Sequence, residues 1–501
     1  MFRHIGCGVL GSWGIHNNSL NNVRRSIIER IFCVEKDGEL VPTPQPVSAD
    51  VFVVRCGDFR DRLLQVLPKF LPLSDCEFIN RYQGRKKVRY QAAAESLKLK
   101  GVERKDSNID MFVKGEKINV DLKPDPAPRA IQPRGYRYTM SLGKLIAHVE
   151  KPLFRCIDKV FQHPTVLKGY NSIRTASIMK SKWDSFHSPV AVGLDASRFD
   201  QHVSIPALLF EHSIWPNFMA CGSDRAELRK LLSWQLHSFG RARCADGVAK
   251  YKVDGTRASG DMNTSSGNCL IMCALVFAFV DHRFEFKLAN NGDDCVLIFD
   301  KENLRFIDGL VNWFGDMGFT MKMEAPVYEF ERIEFCQCQP VYCYDEYRMI
   351  RKPSTTLSKD LTANYRLDFP SYREAWYDAV RCGGLSLNDG CPIFSVFYNC
   401  FPASRQRRKI QLDHFESSGL QRMSEGIKYK SKPISNRSRY SFWLAFGIPP
   451  DSQIAFENKL VGFKLNDCAL EGPGQWVETA AYAGPHLSYQ TRIKSLNGPR
   501  Q

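Results

Sequence analysis

The sequence predicts a mixed α+β protein of two or more lobes. Its 501 residues are too many for one simple core. Leu288 to Phe299, LANNGDDCVLIF, sets two short, partly β-branched arms around Asn-Gly, the pattern of a β-hairpin. Ala258 to Val280 passes from a small, polar loop into a strongly apolar helical run.

Composition narrows the function classes. Hydrophobic residues make up 44% and charged residues 25%, as in ordinary globular proteins. The net charge of +15 favours a polyanionic partner, nucleic acid first and an anionic membrane second. The 17 cysteines are scattered, with no secretory signal and no paired C-x-x-C, so reduced thiols are expected. Cys336, Cys338 and Cys343 cluster without a histidine at zinc-finger spacing. The longest apolar run, Cys269 to Val280, is too short to span a bilayer.

In chain order, Val41 to Val47 is a Pro-rich connector, and Phe59 to Leu71 has helical spacing that ends at Pro72. From Arg81 the chain turns basic, with Tyr82 and Tyr90 among Arg85, Lys86, Lys87 and Arg89. Two readings stand: a solvated helix face, or a wall tracking RNA with tyrosines available for stacking. Lys123 to Arg134, KPDPAPRAIQPR, is a stiff extended loop carrying Lys123, Arg129 and Arg134. It suits a triphosphate, or is a Pro-rich linker.

Pro189 to Val203 begins as a strand whose apolar run ends at Asp195, with Asp200 five positions on. Asp195 then stands at a strand's C-terminal end, a common ligand position, or serves as a helix cap. Residues 206 to 240 read as helical, with Leu208, Leu209, Leu228, Leu231, Leu232 and Trp234 as core. The polar entry to the apolar helix holds Ser259, Asn263, Thr264, Ser265 and Asn268, suited to capping or to reading a sugar hydroxyl. The Gly-Asp-Asp turn places Asp293 and Asp294 side by side. Two such carboxylates repel unless a cation neutralises them, and hard oxygen ligands suit Mg²⁺ or Mn²⁺; the other reading is an acidic surface turn. Residues 304 to 316 look like an amphipathic helix, Gly318 to Glu324 a strand carrying Lys322, and Ile333 to Tyr344 a strand pair. The remainder is mixed and basic, including RQRRK at Arg405 to Lys409.

The order of these pieces resembles viral RNA-dependent RNA polymerases, most closely those of the tombusvirus family with its umbravirus and luteovirus-like relatives. The resemblance runs from about Glu77 to Glu457. It is carried by EFINRYQGRKK, KPDPAPRAIQPR, PTVLKGYN, VAVGLDASRFDQHVS, SGDMNTSSGN, NGDDCVLIF, EFCQCQPV and RYSFWLAFGIPPD. It implies a right-hand fold of fingers, palm with antiparallel sheet, and thumb around an encircled active site. The expected division is an extension and linking region over 1–80, fingers over 81–188, palm over 189–344 with an insertion near 206–257, and thumb from 345.

By the same resemblance, Asp195, Asp293 and Asp294 bind Mg²⁺, with Mn²⁺ as a substitute. Asp200 and Asn268 sense the ribose 2′-hydroxyl, supported by Ser259 and Thr264. Arg129, with Lys123 and Arg134, holds the triphosphate, and Lys322 protonates pyrophosphate unless it merely points to solvent. Arg85, Lys86, Lys87, Arg405, Arg407 and Arg408 are expected to contact RNA. Partners would be template and product RNA, nucleoside triphosphates, and an upstream-encoded viral protein that anchors the complex to host cytoplasmic membranes. Either that upstream portion is absent from this chain or anchoring depends on a partner, so Met1 need not be the natural start. Two alternatives predict different behaviour. A reverse transcriptase usually has an aromatic residue where this chain has Asn291, and a scaffold would bind RNA indifferently to Asp195→Ala or Asp293→Ala.

Overall fold

The apolar helix Thr264–Val280 is the axis of the largest core. It is hydrophobic all round and almost wholly buried, as expected of a helix packed on every side. Helices Val51–Gln65, Glu150–Phe161 and Ile205–Ile214 lie against it. The computed structural model describes residues 13–363, 367–403 and 423–465, and the backbone of strands 3–6, 469–473, 475–477 and 494–496.

Beside this helix stands a four-stranded antiparallel sheet, ordered Phe286–Asn290, Asp294–Asp300, Pro189–Ala196, Met321–Met323. Val190, Val192, Leu194, Leu297 and Phe299 face the helical core. The alternate residues Ala191, Ala289, Val296 and Ile298 face a second core, built on helix Ser172–Trp183 and hairpin Cys338–Cys343/Glu346–Arg351. With both faces covered, these strands read as continuous apolar runs.

A five-stranded sheet (Lys494–Leu496, Gly247–Asp254, His237–Cys244, Ile109–Val113, Ala130–Ile131) packs on helix Leu20–Ile27. Helices Pro370–Leu387, Phe394–Asn399 and Asn436–Phe446 form a separate aromatic-rich core. Strand Arg3–Gly6 pairs with both Thr362–Ala363 and Ala469–Pro473, so the start of the chain is clasped by its far end. Trp13 Nε1 reinforces that junction by donating to Ser358 Oγ at 2.6 Å. Among the described residues no helix is long and apolar enough to cross a membrane, and every cysteine is a free thiol.

Several elements depart from expectation. The helix expected over 59–71 spans Val51–Gln65; Pro68, just past its end, prevents continuation. The helical reading of 206–240 holds for Ile205–Ile214 and Gly222–Ser233, but a strand starts at His237. Its inward residues, Ser238, Gly240 and Ala242, are small, while Phe239 faces out, so no apolar alternation announces it. Gly240 is required to be small, because a Cβ there would strike the Tyr251 ring. Leu209, expected in the core, is 50% exposed. The helix expected over 304–316 divides into the 3₁₀ segment Lys301–Ile307 and helix Leu310–Asp316. The strand pair expected within 333–344 is instead the hairpin over 338–351.

Leu275→Ala removes a fully buried side chain from the central helix. The expected cost is about 2–5 kcal/mol, read as a lower urea midpoint by tryptophan fluorescence. An unchanged midpoint would mean that this helix is not the core's axis.

Candidate active site

Asp195, Asp293 and Asp294 meet at one end of the four-stranded sheet. The register places Asp294 opposite Asp195 on one side and Lys322 opposite Asp195 on the other. Facing residues of antiparallel strands project to the same face, with Cβ atoms about 4.5–5.5 Å apart. Asp195, Asp294 and Lys322 therefore share a face, and Lys322 is exposed beside the aspartates.

The hairpin turn is shifted by one residue from the Asn-Gly expectation. Asn290 pairs with Cys295, and Asn291 N donates to the Asp294 carbonyl at 2.9 Å. Gly292 and Asp293 are thus the two loop residues. Gly292 has φ +93°, the glycine-first turn that suits twisted hairpins. Buried Asn290 fixes this choice: its Nδ2 donates to the Gly292 carbonyl at 2.7 Å and its Oδ1 accepts from Gly292 N at 3.2 Å. Asp293 consequently sits in the turn while Asp294 begins the strand.

Asp294 Oδ2 accepts from Cys336 N at 2.9 Å. Cys336 and Gln337 both take left-handed φ values, folding this segment back over the hairpin tip, where Asn291 Nδ2 donates to Cys336 Sγ at 2.9 Å. Burial, then the charge of Asp293, pushes the Asp294 carboxyl up to about 6. Burial and the Asp195 charge also raise Asp293. Both shifts mark a site short of positive charge, and the oxygen donors fit a hard divalent cation. The three aspartates do not bring a ligand atom each within 4.8 Å of one another. Among the described residues, the cluster with all ligand atoms within 4.8 Å of one another is Asp58, Asp281 and His282, where Arg62 already bridges both aspartates.

Asp200 and Asn268 also come together, with Asn268 Nδ2 donating to Asp200 Oδ1 at 2.6 Å. The orientation of that amide is set behind it, where Asn268 Oδ1 accepts from Arg257 Nε at 3.2 Å. Arg257 is fully buried and ion-paired to buried Glu211, which also accepts from Trp215 Nε1 and Asn263 Nδ2 at 2.7 Å each. Burial opposes the Glu211 charge, yet Arg257 holds its carboxyl below the usual range. Burial raises the Asp200 carboxyl. Asn263 stands at the N-cap of the apolar helix, but its side chain serves Glu211 instead of the helix end.

The sequence profile described as viral RNA-dependent RNA polymerase matches residues 2–467. The chain belongs to that family. It is 45% identical over 477 residues to the RNA-directed RNA polymerase of tobacco necrosis virus (strain D), covering 93% of this chain and 65% of that relative. It is 41% identical to that of Cymbidium ringspot virus (94% of this chain, 57% of the relative) and 40% identical to that of turnip crinkle virus (91% and 59%). The chain spans about three fifths of the length of these relatives.

The remaining residues expected from the family resemblance divide in two. Arg129 lies on the Pro-rich loop, exposed, with Nη1 3.3 Å from Glu116 Oε2, and its charge reaches both Asp200 and Asp293. Lys123 is exposed on the same loop. Arg134 is not available to a ligand: it is buried and bonded to Asp261, Ser107 O and Ser238 Oγ, so it anchors the loop's end. Ser259 Oγ donates to Ala130 O at 2.9 Å, tying the polar entry to this loop, and Thr264 Oγ1 donates to Ala258 O at 2.8 Å.

Arg85, Lys86 and Lys87 lie on helix Gly84–Leu99. Arg85 is exposed, Lys86 Nζ sits 4.5 Å over the Tyr82 ring, and Lys87 Nζ donates to Asn80 Oδ1 at 3.0 Å. The tyrosines are not free for stacking on bases: Tyr90 is buried and Tyr82 half-buried, packed together with Phe78. Arg405, Arg407 and Arg408 lie outside the described residues.

Four contributors went unnoticed in the sequence: Asn290, Glu211, Arg257 and Glu324. Glu324 folds over Gly193, two residues before Asp195, where a Cβ would strike its carboxylate. Lys168 is a fifth. Val166 pairs with Asn290, which brings exposed Lys168 beside the turn, and its charge reaches Asp293.

The raised carboxyl of Asp294 gives a pH test. Its neutral form favours the fold below the unfolded value near 4, and that contribution is lost as pH rises through about 6. A divalent cation held by these carboxylates would take the proton's place above that range. Mg²⁺ should therefore raise the thermal midpoint at pH 7.5 and have little effect at pH 5. Equal stabilisation at both would remove Asp294 from the metal site.

Proposed function

We propose that this chain is the polymerase portion of a plant-virus replicase, an RNA-directed RNA polymerase that copies a positive-strand genome. The observation that carries this is the meeting of Asp195, Asp293 and Asp294 at one sheet end, with the hydrogen-bonded Asp200–Asn268 pair beside it. In this reading the four-stranded sheet is the palm, the basic helix and Pro-rich loop belong to the fingers, and the helical lobe after residue 345 is the thumb. The clasp made by strand Arg3–Gly6 supports a linked, encircled cleft.

Mg²⁺ bound by the three aspartates would lower the pKa of the attacking 3′-hydroxyl and neutralise the departing pyrophosphate, the chemistry of two-metal sites. Asp195 and Asp294 hold fixed places because the sheet register sets them. Asn268, with its amide N–H toward Asp200 and its oxygen bound by Arg257, leaves Asp200 as the acceptor for a ribose 2′-hydroxyl. Arg129 offers a guanidinium fork to the triphosphate. Lys322 shares the Asp195 face, and in this reading it donates a proton to pyrophosphate. Primer-independent initiation, membrane anchoring by an upstream-encoded protein in the host cytoplasm, and RNA contacts by Arg85, Lys86, Lys87, Arg405, Arg407 and Arg408 belong to the same proposal and rest on the family resemblance.

Labelled ribonucleotides on an RNA template with Mg²⁺ should yield template-length product. Asp293→Ala should lower incorporation by about a thousandfold while RNA binding persists. A variant as active as the parent would sink the assignment. Asn268→Ala should reduce the preference for ribo- over deoxynucleotides by about tenfold, measured as the ratio of kcat/KM values. An unchanged ratio would take Asn268 out of sugar selection.

A further inference from the structure

Away from the aspartates, helix Ser172–Trp183 sets Arg174, Ser177 and Ser181 along one face, at spacings of three and four. With His163, Lys182 and Lys287 they line a cavity of about 330 Å³. Lys182 is only 4% exposed, and its Nζ donates to His163 Nδ1 at 2.6 Å. When Lys182 is charged it can only donate, so Nδ1 then accepts and the ring hydrogen lies on Nε2. That Nε2 is buried with no hydrogen-bond partner.

Among the described residues, no carboxylate forms an ion pair with Lys182 or Arg174, and Lys287 has only Glu285 at 3.5 Å. Asp158, whose charge reaches Lys182, gives its Oδ1 to the Thr165 and Val166 N–H groups at 2.7 and 3.2 Å. Three basic side chains and two free serine hydroxyls thus face one cavity, and among the described residues Lys182 and Arg174 have no ion pair there; a buried ammonium without one is costly. Burial lowers Lys182 to about 7, and burial together with Lys182 lowers His163 to about 3.

We propose that this pocket binds a terminal phosphate: the dianion of inorganic phosphate or of a phosphomonoester such as a nucleoside 5′-monophosphate. Guanidinium, ammonium and hydroxyl donors converging on one cavity are the chemistry of phosphate recognition. The amine at the base selects the terminal group, because a phosphodiester flanked on both sides by chain cannot reach a nitrogen that is nearly enclosed. The pocket is distinct from the aspartate cleft. Lys287 lies three residues down its strand from Asn290, about 10 Å along the sheet. The inference does not rest on the polymerase reading.

The test is calorimetric titration of the full chain, without divalent metal and at constant ionic strength. The ligands are inorganic phosphate, UMP, and the dinucleoside phosphodiester UpU. Phosphate and UMP should each saturate one site, and UpU should not bind there. Arg174→Gln and Lys287→Gln should each weaken phosphate binding about tenfold, and Lys182→Met should abolish it. If Lys182→Met fails to fold, the exposed Arg174 and half-buried Lys287 decide the matter. Arg129→Gln, on the loop near the aspartates, should leave this binding intact. The proposal is overturned by absence of saturable binding, by Arg174→Gln and Lys287→Gln binding as the parent does, by loss of binding in Arg129→Gln, or by UpU binding as well as UMP.

Discussion

The pairing of strand Asp294–Asp300 with strand Pro189–Ala196 is the constraint on which the site depends. It runs without a bulge from Asp300 opposite Pro189 to Asp294 opposite Asp195. A slip of one residue would turn Asp294 to the other face and bring its apolar neighbours out of the two cores that flank the sheet. Because both faces are packed, the register is specified along its whole length by burial, and the two carboxylates inherit that precision. Their mutual repulsion is borne by the apolar contacts of Val192, Leu194, Val296 and Leu297, which are almost completely removed from water.

A second constraint is polar. Glu211 and Arg257 are an ion pair at the heart of the protein, a costly arrangement where well-packed apolar residues would often serve as well. Its geometry gives it a use. Gly267 lets the apolar helix approach the pair, since a Cβ there would meet both the Glu211 carboxylate and the Arg257 guanidinium. Arg257 then fixes which end of the Asn268 amide faces Asp200. The pair therefore transmits orientation from the core to the cleft, and a neutral apolar replacement would fill the space without setting the amide.

Much of the site was legible because its chemistry is local in sequence. The strand ending at Asp195, the Gly-Asp-Asp turn and the polar entry to the apolar helix are each contained in a few residues. Glu211, Arg257 and Glu324 were not legible, because their partners are assembled by tertiary packing across long stretches of chain. The turn was displaced by one residue because the Asn290 side chain competes for the glycine's backbone, a contest that Asn-Gly statistics do not register. Strand His237–Cys244 was hidden by its small inward residues. Tyr82 and Tyr90 looked like stacking surfaces among cations, but aromatic packing with Phe78 claims them.

The clasp of strand Arg3–Gly6 links positions about 360 residues apart. A strand paired only with such distant partners has no local template, so it must remain unpaired while most of the chain emerges from the ribosome. Completion of this three-stranded sheet is thus a late event in the life of the polypeptide. Until then strands Thr362–Ala363 and Ala469–Pro473 lack the strand that lies between them in the finished sheet.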